Sequence, residues 1–159
     1  MTNITTPSGY EAWYHSARGR WIGDSEFFLM QKLLQPEPKA SLLDVGCGTG
    51  YFSRRFQQLE MTVTGIDPDK DAIKFARSQG IGIHYLKGTA ETLPFDDHSV
   101  DYSSAITSLC FIENPQKALA EMWRVTRKSL VLGLLNRNSL LYRSMHGRGN
   151  YRGALGFCT

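Results

Sequence analysis

Leu42-Leu43-Asp44-Val45-Gly46-Cys47-Gly48-Thr49-Gly50 is the stretch on which the fold turns. An apolar run ends in glycines at alternate positions, and a helical pattern with Phe52 and Phe56 on one face follows. Glycine takes positive φ readily and has no Cβ, so a ligand can approach the backbone of such a loop. The N-terminus of the next helix adds free N–H groups and the positive end of a dipole. A dinucleotide loop, G-x-G-x-x-G, would need glycine at position 51, where the chain has Tyr51, and no G-K-[ST] closes a phosphate loop.

The same alternation continues outward. Ser41–Val45, Thr62–Ile66, Gly82–Leu86, Val100–Ile106 and Leu130–Leu135 read as strands, several of them apolar on successive residues as in a sheet covered on both faces. Helical stripes lie between them: Ile73 and Ala76 after Asp69, and Ala118, Leu119, Met122 and Trp123 after Asn114-Pro115. Ahead of the first strand, Asp24 is expected to cap a helix whose Phe27, Met30 and Leu34 share a face. That helix should end by Gln35, because Pro36 and Pro38 follow. The pattern predicts right-handed crossovers and a Rossmann-like, doubly wound α/β sheet of five mainly parallel strands with helices on both faces. Ligands in such sheets bind beyond the carboxyl ends of the strands, where strand order reverses. The second strand delivers Asp67 to that edge, 21 residues beyond Gly46, near the spacing of about 20 for an acid that takes ribose hydroxyls. Loop and acid together predict a site for an adenosine-type ribose with no provision for a pyrophosphate. The plainer alternative has Asp67 capping the next helix.

The 159 residues fit one domain, 1–159, with an N-terminal helical cap over 1–40 and a basic tail over 137–159. Hydrophobic residues make up 42% and charged residues 21%, which is too apolar for a disordered chain. The longest aliphatic stretch, Leu130–Leu135, falls far short of the roughly 20 residues that span a bilayer. Met1–Gly9 has no basic cluster before an apolar core, so no signal peptide is expected. Cys47, Cys110 and Cys158 are widely spaced without a C-x-x-C pair, a pattern that suits reduced thiols in a cytoplasm better than a disulfide framework. The histidines are scattered and no metal site is expected. The net charge of +3 is uneven, because Arg137, Arg143, Arg148 and Arg152 stand in the tail without an acid. Arginines so spread read as a solvated face more readily than as a nucleic-acid contact.

Leu42–Gly50 resembles motif I of class I S-adenosylmethionine-dependent methyltransferases, and Gly65-Ile66-Asp67-Pro68-Asp69 resembles their second motif. Gly88–Phe95, Phe111–Pro115 and Glu121–Val125 extend the resemblance to the methyltransferase type 11 branch, which includes ubiquinone/menaquinone-type enzymes, over about residues 9–145. The resemblance implies S-adenosylmethionine as cofactor, S-adenosylhomocysteine as product, and a small-molecule methyl acceptor. It implies that Asp44 and the backbone of Gly46, Cys47 and Gly48 hold the methionine moiety. Asp67 would take the ribose and Pro68 pack on the adenine, with Thr89, Ala90 and Glu91 beside the ring. Ile106 and Thr107 would border the sulfur. An aromatic from Tyr10, Trp13, Tyr14 or Trp21 would cover the cationic sulfonium, with Tyr14 carried as the candidate, and Arg18 would reach the cofactor carboxylate.

Two departures from the family pattern matter. Thr89 stands where an acid is common, and its hydroxyl accepts without charge assistance. The family fold normally continues past the fifth strand into a helix and two antiparallel strands, whereas this chain passes through Asn136–Leu140 and reaches Thr159 without them. Leu130–Leu135 is therefore expected to be an apolar edge covered by the tail or by a second copy in a homodimer. The same shortening supports a second reading, a protein that binds the cofactor without turning it over. Methyl transfer from a sulfonium is an in-line displacement, so alignment is the protein's main contribution, worth up to about 7–11 kcal/mol. His15, Tyr14, Glu113 and His146 are the candidate bases, and the sequence singles out none of them as catalytic. Tyr51 disfavours a nicotinamide oxidoreductase. The lack of an Asn/Asp-Pro-Pro-aromatic tetrapeptide disfavours an amino-methylating nucleic-acid enzyme.

Overall fold

The computed structural model describes residues 6–134. Two helices, α1 (Pro7–His15) and α2 (Ala17–Leu34), precede the sheet. The Thr6 side chain accepts from the Gly9 N–H and that of Ser16 from the Gly19 N–H, while Pro7 takes the first helical turn, where its missing N–H costs nothing. The second helix therefore starts at Ala17, not after Asp24 as expected. Ser16 satisfies the orphan donors first, and Asp24 lies mid-helix, turned toward Arg55 at 2.6 Å. The helix does end at Leu34, with Gln35 in the left-handed region ahead of Pro36.

Then follow β1 (Ser41–Val45), α3 (Tyr51–Gln57), β2 (Thr62–Asp67), α4 (Lys70–Ser78), β3 (His84–Lys87), β4 (Val100–Ile106), a 3-10 turn (Leu109–Phe111), α5 (Pro115–Val125) and β5 (Thr126–Gly133). The strands form one sheet in the order β3-β2-β1-β4-β5, and every neighbouring pair is parallel. The expected doubly wound sheet is present, with two boundary corrections. The third strand starts at His84 because Gly82, at φ 91, belongs to the turn before it. The fifth starts at Thr126, not Leu130: exposed Arg127 and Lys128 hide the strand from an apolar-run reading, yet they pair with Asp101 and Glu37.

Successive strand residues face opposite layers, which is why the runs are continuously apolar. Leu42, Val63, Tyr102 and Val131 meet Phe27, Met30 and Leu34 of α2 and Phe52 and Phe56 of α3. Leu43, Val45 and Ala105 meet Ala118, Met122 and Val125 of α5. Trp123, placed on that stripe from the sequence, is 71% exposed, because the stripe runs through Val125 instead. Ile73 and Ala76 of α4 pack with Cys47 and Tyr85. Fully burying an aliphatic or Phe side chain stabilises by about 1.5–3 kcal/mol, so these layers dominate the stability.

Cys47 is a free, buried thiol and Cys110 is buried. Asn136–Leu140, His146, Cys158 and the arginine-bearing tail lie outside the described residues. Among the described residues no helix is long and apolar enough to cross a membrane, and no group of His, Cys, Asp and Glu could hold a metal ion.

Candidate functional site

Strand order reverses between β1 and β4, and a cavity of about 300 Å³ opens beyond their carboxyl ends. Its floor is the glycine loop. Gly46 (φ 72) and Cys47 donate their N–H groups to the Ile66 carbonyl at 2.8 and 3.1 Å, tying the loop to β2. A Cβ on Gly46 would fall 2.3 Å from the Ser108 Cβ, and Ser108 itself donates to the Val45 carbonyl at 2.8 Å. Gly50 (φ 77) caps α3, and a Cβ there would fall 2.2 Å from the Tyr85 hydroxyl. Gly48 (φ 52) differs, since a Cβ on it would meet nothing within 4 Å. Its bare Cα faces open space.

Two acids stand on adjacent strand tips. Asp44, 2% exposed, accepts from the Ser53 hydroxyl at 2.6 Å and the Ser104 hydroxyl at 2.9 Å. Burial pushes its carboxyl up to about 6, against the opposing pull of those two bonds. Asp67 accepts from the Gly48 N–H through Oδ2 at 2.9 Å and from the Asp69 N–H through Oδ1 at 2.8 Å. Burial raises this carboxyl also, with the two backbone bonds acting the other way. Asp69, not Asp67, caps α4, accepting from the N–H groups of Asp71 and Ala72. The capping alternative for Asp67 is thereby removed.

Ile106, Thr107 and Ser108 close the third side. Thr107 holds φ 56, a left-handed conformation uncommon for a β-branched residue, while its N–H donates to the Gly133 carbonyl at 2.7 Å. Such strain costs on the order of 1–3 kcal/mol and collects at ligand sites. Tyr10, Tyr51, Phe52, Phe111 and Ile112 complete an aromatic and aliphatic wall.

Of the residues singled out from the sequence, Asp44, Gly46, Cys47, Gly48, Asp67, Pro68, Ile106 and Thr107 come together around this cavity. Tyr10, one of the four candidate aromatics, lines it as well, and the others stand apart from its lining. Tyr14 is buried behind it, stacked on Tyr51 at 3.9 Å between ring centroids and with its hydroxyl 3.3 Å from that of Tyr10. Arg18 is exposed on α2. Thr89 is exposed, Ala90 is buried against the α5 layer, and Glu91 accepts from the Asn114 N–H at 3.4 Å. This segment nevertheless follows β3 at the same sheet edge, and Gly88 donates to the Asp67 carbonyl at 3.1 Å. Of the other aromatics, Trp13 packs in the core and Trp21 is 71% exposed. Thr49, Tyr51, Phe52, Ser108, Phe111 and Ile112 line the cavity without having been singled out. Thr49, Tyr51 and Phe52 adjoin the glycine loop, and that adjacency was the available signal.

A parallel sheet in this order, with a glycine loop and an acid on neighbouring strand tips, is the Rossmann-like nucleotide-binding arrangement, and the matches that follow assign it to the class I S-adenosylmethionine-dependent methyltransferases. The "Methyltransferase domain" family profile of type 11 matches residues 43–132, and the chain belongs to that family. Malonyl-[acyl-carrier protein] O-methyltransferase of Pectobacterium atrosepticum is 36% identical over 91 residues, covering 57% of this chain and 36% of the relative. An uncharacterised protein of Methanocaldococcus jannaschii is 32% identical over 133 residues, 80% of this chain and 62% of its own. The chain thus spans between about a third and three fifths of these curated relatives. Among solved structures, a Thermotoga maritima SAM-dependent methyltransferase, described as a possible histamine N-methyltransferase, superposes with a TM-score of 0.70 at 31% identity. That match covers 87% of this chain and 62% of the other. The YcgJ protein of Bacillus subtilis superposes at 0.64 with 26% identity, over 69% of this chain and 50% of its own.

Proposed function

We propose that this protein transfers a methyl group from S-adenosylmethionine to a small-molecule acceptor. The observation that carries the reading is the Gly48–Asp67 pair, a bare Cα facing open space beside a carboxylate that its own N–H holds in place. Each Asp67 oxygen accepts one backbone bond and retains capacity for a ribose hydroxyl. Charge-assisted bonds of that kind contribute about 1.5–3 kcal/mol each. Asp44 and the Gly46–Gly48 loop take the methionine end through carboxylate and carbonyl oxygens, because the three loop N–H groups already donate to Ile66 and Asp67, and Pro68 offers a face for the adenine. The aromatic wall of Tyr10, Tyr51, Phe52 and Phe111 favours a cationic sulfur.

The bound cofactor would supply a methyl group on an already activated sulfonium. The chain's own residues bind it, orient it and exclude water, and Ile106 and Thr107 fix the end of β4 beside the reacting region. No Lys, Arg or His stands among the described lining residues. A cytoplasmic location belongs to the same reading, and fractionation of expressing cells tests it.

Calorimetric titration with S-adenosylmethionine, S-adenosylhomocysteine and NADH tests the site. Micromolar binding of the first two, about −8 kcal/mol, lost in Asp67→Ala, is the expected result. Binding of NADH alone, or of none of the three, overturns the reading.

A further inference from the structure

Glu11 is a carboxylate buried to 6% exposure on α1, outside the cavity lining. Its Oε2 accepts from the Thr49 hydroxyl at 2.8 Å, and its Oε1 accepts from Arg54 Nη2. Arg54 donates through Nη1 to the Thr49 carbonyl at 2.8 Å, which closes a ring of bonds between α1, the glycine loop and α3. His15, one turn further along α1, stands 3.6 Å from the same Oε1. Taking a carboxylate and a guanidinium out of water costs about as much as their attraction returns, so stability alone is a weak reason to keep such a pair. What the pair does fix is position. Thr49 lines the cavity between Gly48 and Gly50, both at positive φ, and Tyr10, the residue before Glu11, lines it from α1. The ion pair therefore joins the helix that carries Tyr10 to the glycine loop, beside the stacking of Tyr14 on Tyr51.

We propose that Glu11 is a positioning residue, a latch joining α1 to the glycine loop through Thr49 and Arg54, which opens to admit the cofactor and holds it once closed. The proposal rests on the cofactor reading above. Glu11 acts through its neighbours: it sets the Thr49 segment of the floor and brings Tyr10 over the cavity. A ligand held between Tyr10 and the floor gains contacts only when the latch is shut, so ligand and latch stabilise each other. The observable consequences are slow release of the ligand and ligand-dependent protection of α1.

The test uses S-adenosylhomocysteine as probe and the whole chain, in wild type, Glu11→Gln and the double variant Glu11→Leu/Arg54→Met. Glu11→Gln removes the charge but keeps an acceptor for Thr49. The double variant replaces the ion pair with apolar atoms of similar volume. Displacement kinetics give the release rate, hydrogen exchange gives the protection of α1, and the thermal midpoint reports folding. The expected result is protection of α1 by the ligand in wild type, and in the double variant a near-normal thermal midpoint with that protection lost. Release from the double variant should be at least about tenfold faster, the lower end for losing a charge-assisted bond. Glu11→Gln should fall between the two. A folded double variant that releases the ligand as slowly as wild type, with α1 still protected, overturns the latch. Should the double variant fail to fold, Glu11→Gln decides by the same readouts, and wild-type release and protection in it overturn the latch equally. A wild type that does not bind the probe at all overturns the cofactor reading and the latch with it, and that measurement comes first.

Discussion

At Gly48 and Gly50 an added methyl group would do opposite things. Gly50→Ala places a Cβ against the Tyr85 hydroxyl at positive φ, so it should destabilise folding by about 2–4 kcal/mol, strain and overpacking together. Gly48→Ala carries only the left-handed cost, roughly 1–2 kcal/mol, but projects into the open cavity, so ligand affinity should fall more than stability. Urea unfolding and S-adenosylhomocysteine titration of both variants check this, and equal effects of the two on binding and folding would contradict it. Asp44 makes a prediction of the same scale. Its folded value of about 6 lies above the ordinary aspartate value, so the folded state holds the proton more tightly than the unfolded chain. Its contribution is fully present below about pH 4, declines as pH rises through 6 and is level beyond, a change of about 2–3 kcal/mol. Asp44→Asn, which cannot ionise, should therefore gain on wild type between pH 4 and 6 in urea unfolding. A stability difference independent of pH would refute that account.

Among the elements, α5 acts through one arginine. Arg124 donates to both oxygens of Glu121, to Asp97 and to the carbonyls of Leu93 and Phe95, while Glu121 accepts from the Leu93 N–H at 2.8 Å. The segment after β3, which includes Thr89, Ala90 and Glu91, is thus held against α5. The Arg124 guanidinium keeps the Glu121 carboxyl down at about 2, so this support is present above the ordinary glutamate value and fades as pH falls toward 2. Arg124→Gln should speed exchange of the Leu93 amide while leaving amides of β1 unchanged. Uniform loss of protection across the sheet would mean that the arginine supports the whole fold instead. The boundary corrections belong to this scale as well. Ser16 outcompetes Asp24 as a cap because it stands at the break between two helices, and β5 begins in polar residues because an edge strand keeps one side in water.

On the scale of the whole molecule, β3 and β5 are the two edges of the sheet among the described residues. β5 is the more apolar of them, and residues beyond 134 or a second copy are expected to cover it. Sedimentation across micromolar concentrations with hydrogen exchange of β5 checks this: a monomer whose β5 amides exchange freely would contradict it. The layered α/β architecture was legible in the sequence because strands buried on both faces must be apolar on successive residues, and glycine at special φ leaves a local mark. Asp44, Gly46, Gly48 and Asp67 could be read for the same reason, since each lies in or beside its own strand tip. Tyr10 and Tyr14 share a stripe of α1, and only the seating of that helix on the loop puts the first over the cavity and the second behind it. Glu11, Thr49 and Arg54 lie on three elements and carry no joint sequence signal; packing brings them together. The sequence by itself determined the sheet, the glycine loop and the acid opposite it, because these follow from local backbone demands. Tertiary structure alone decided the aromatic wall and the latch, because contacts between elements depend on how helices rotate and settle against a sheet.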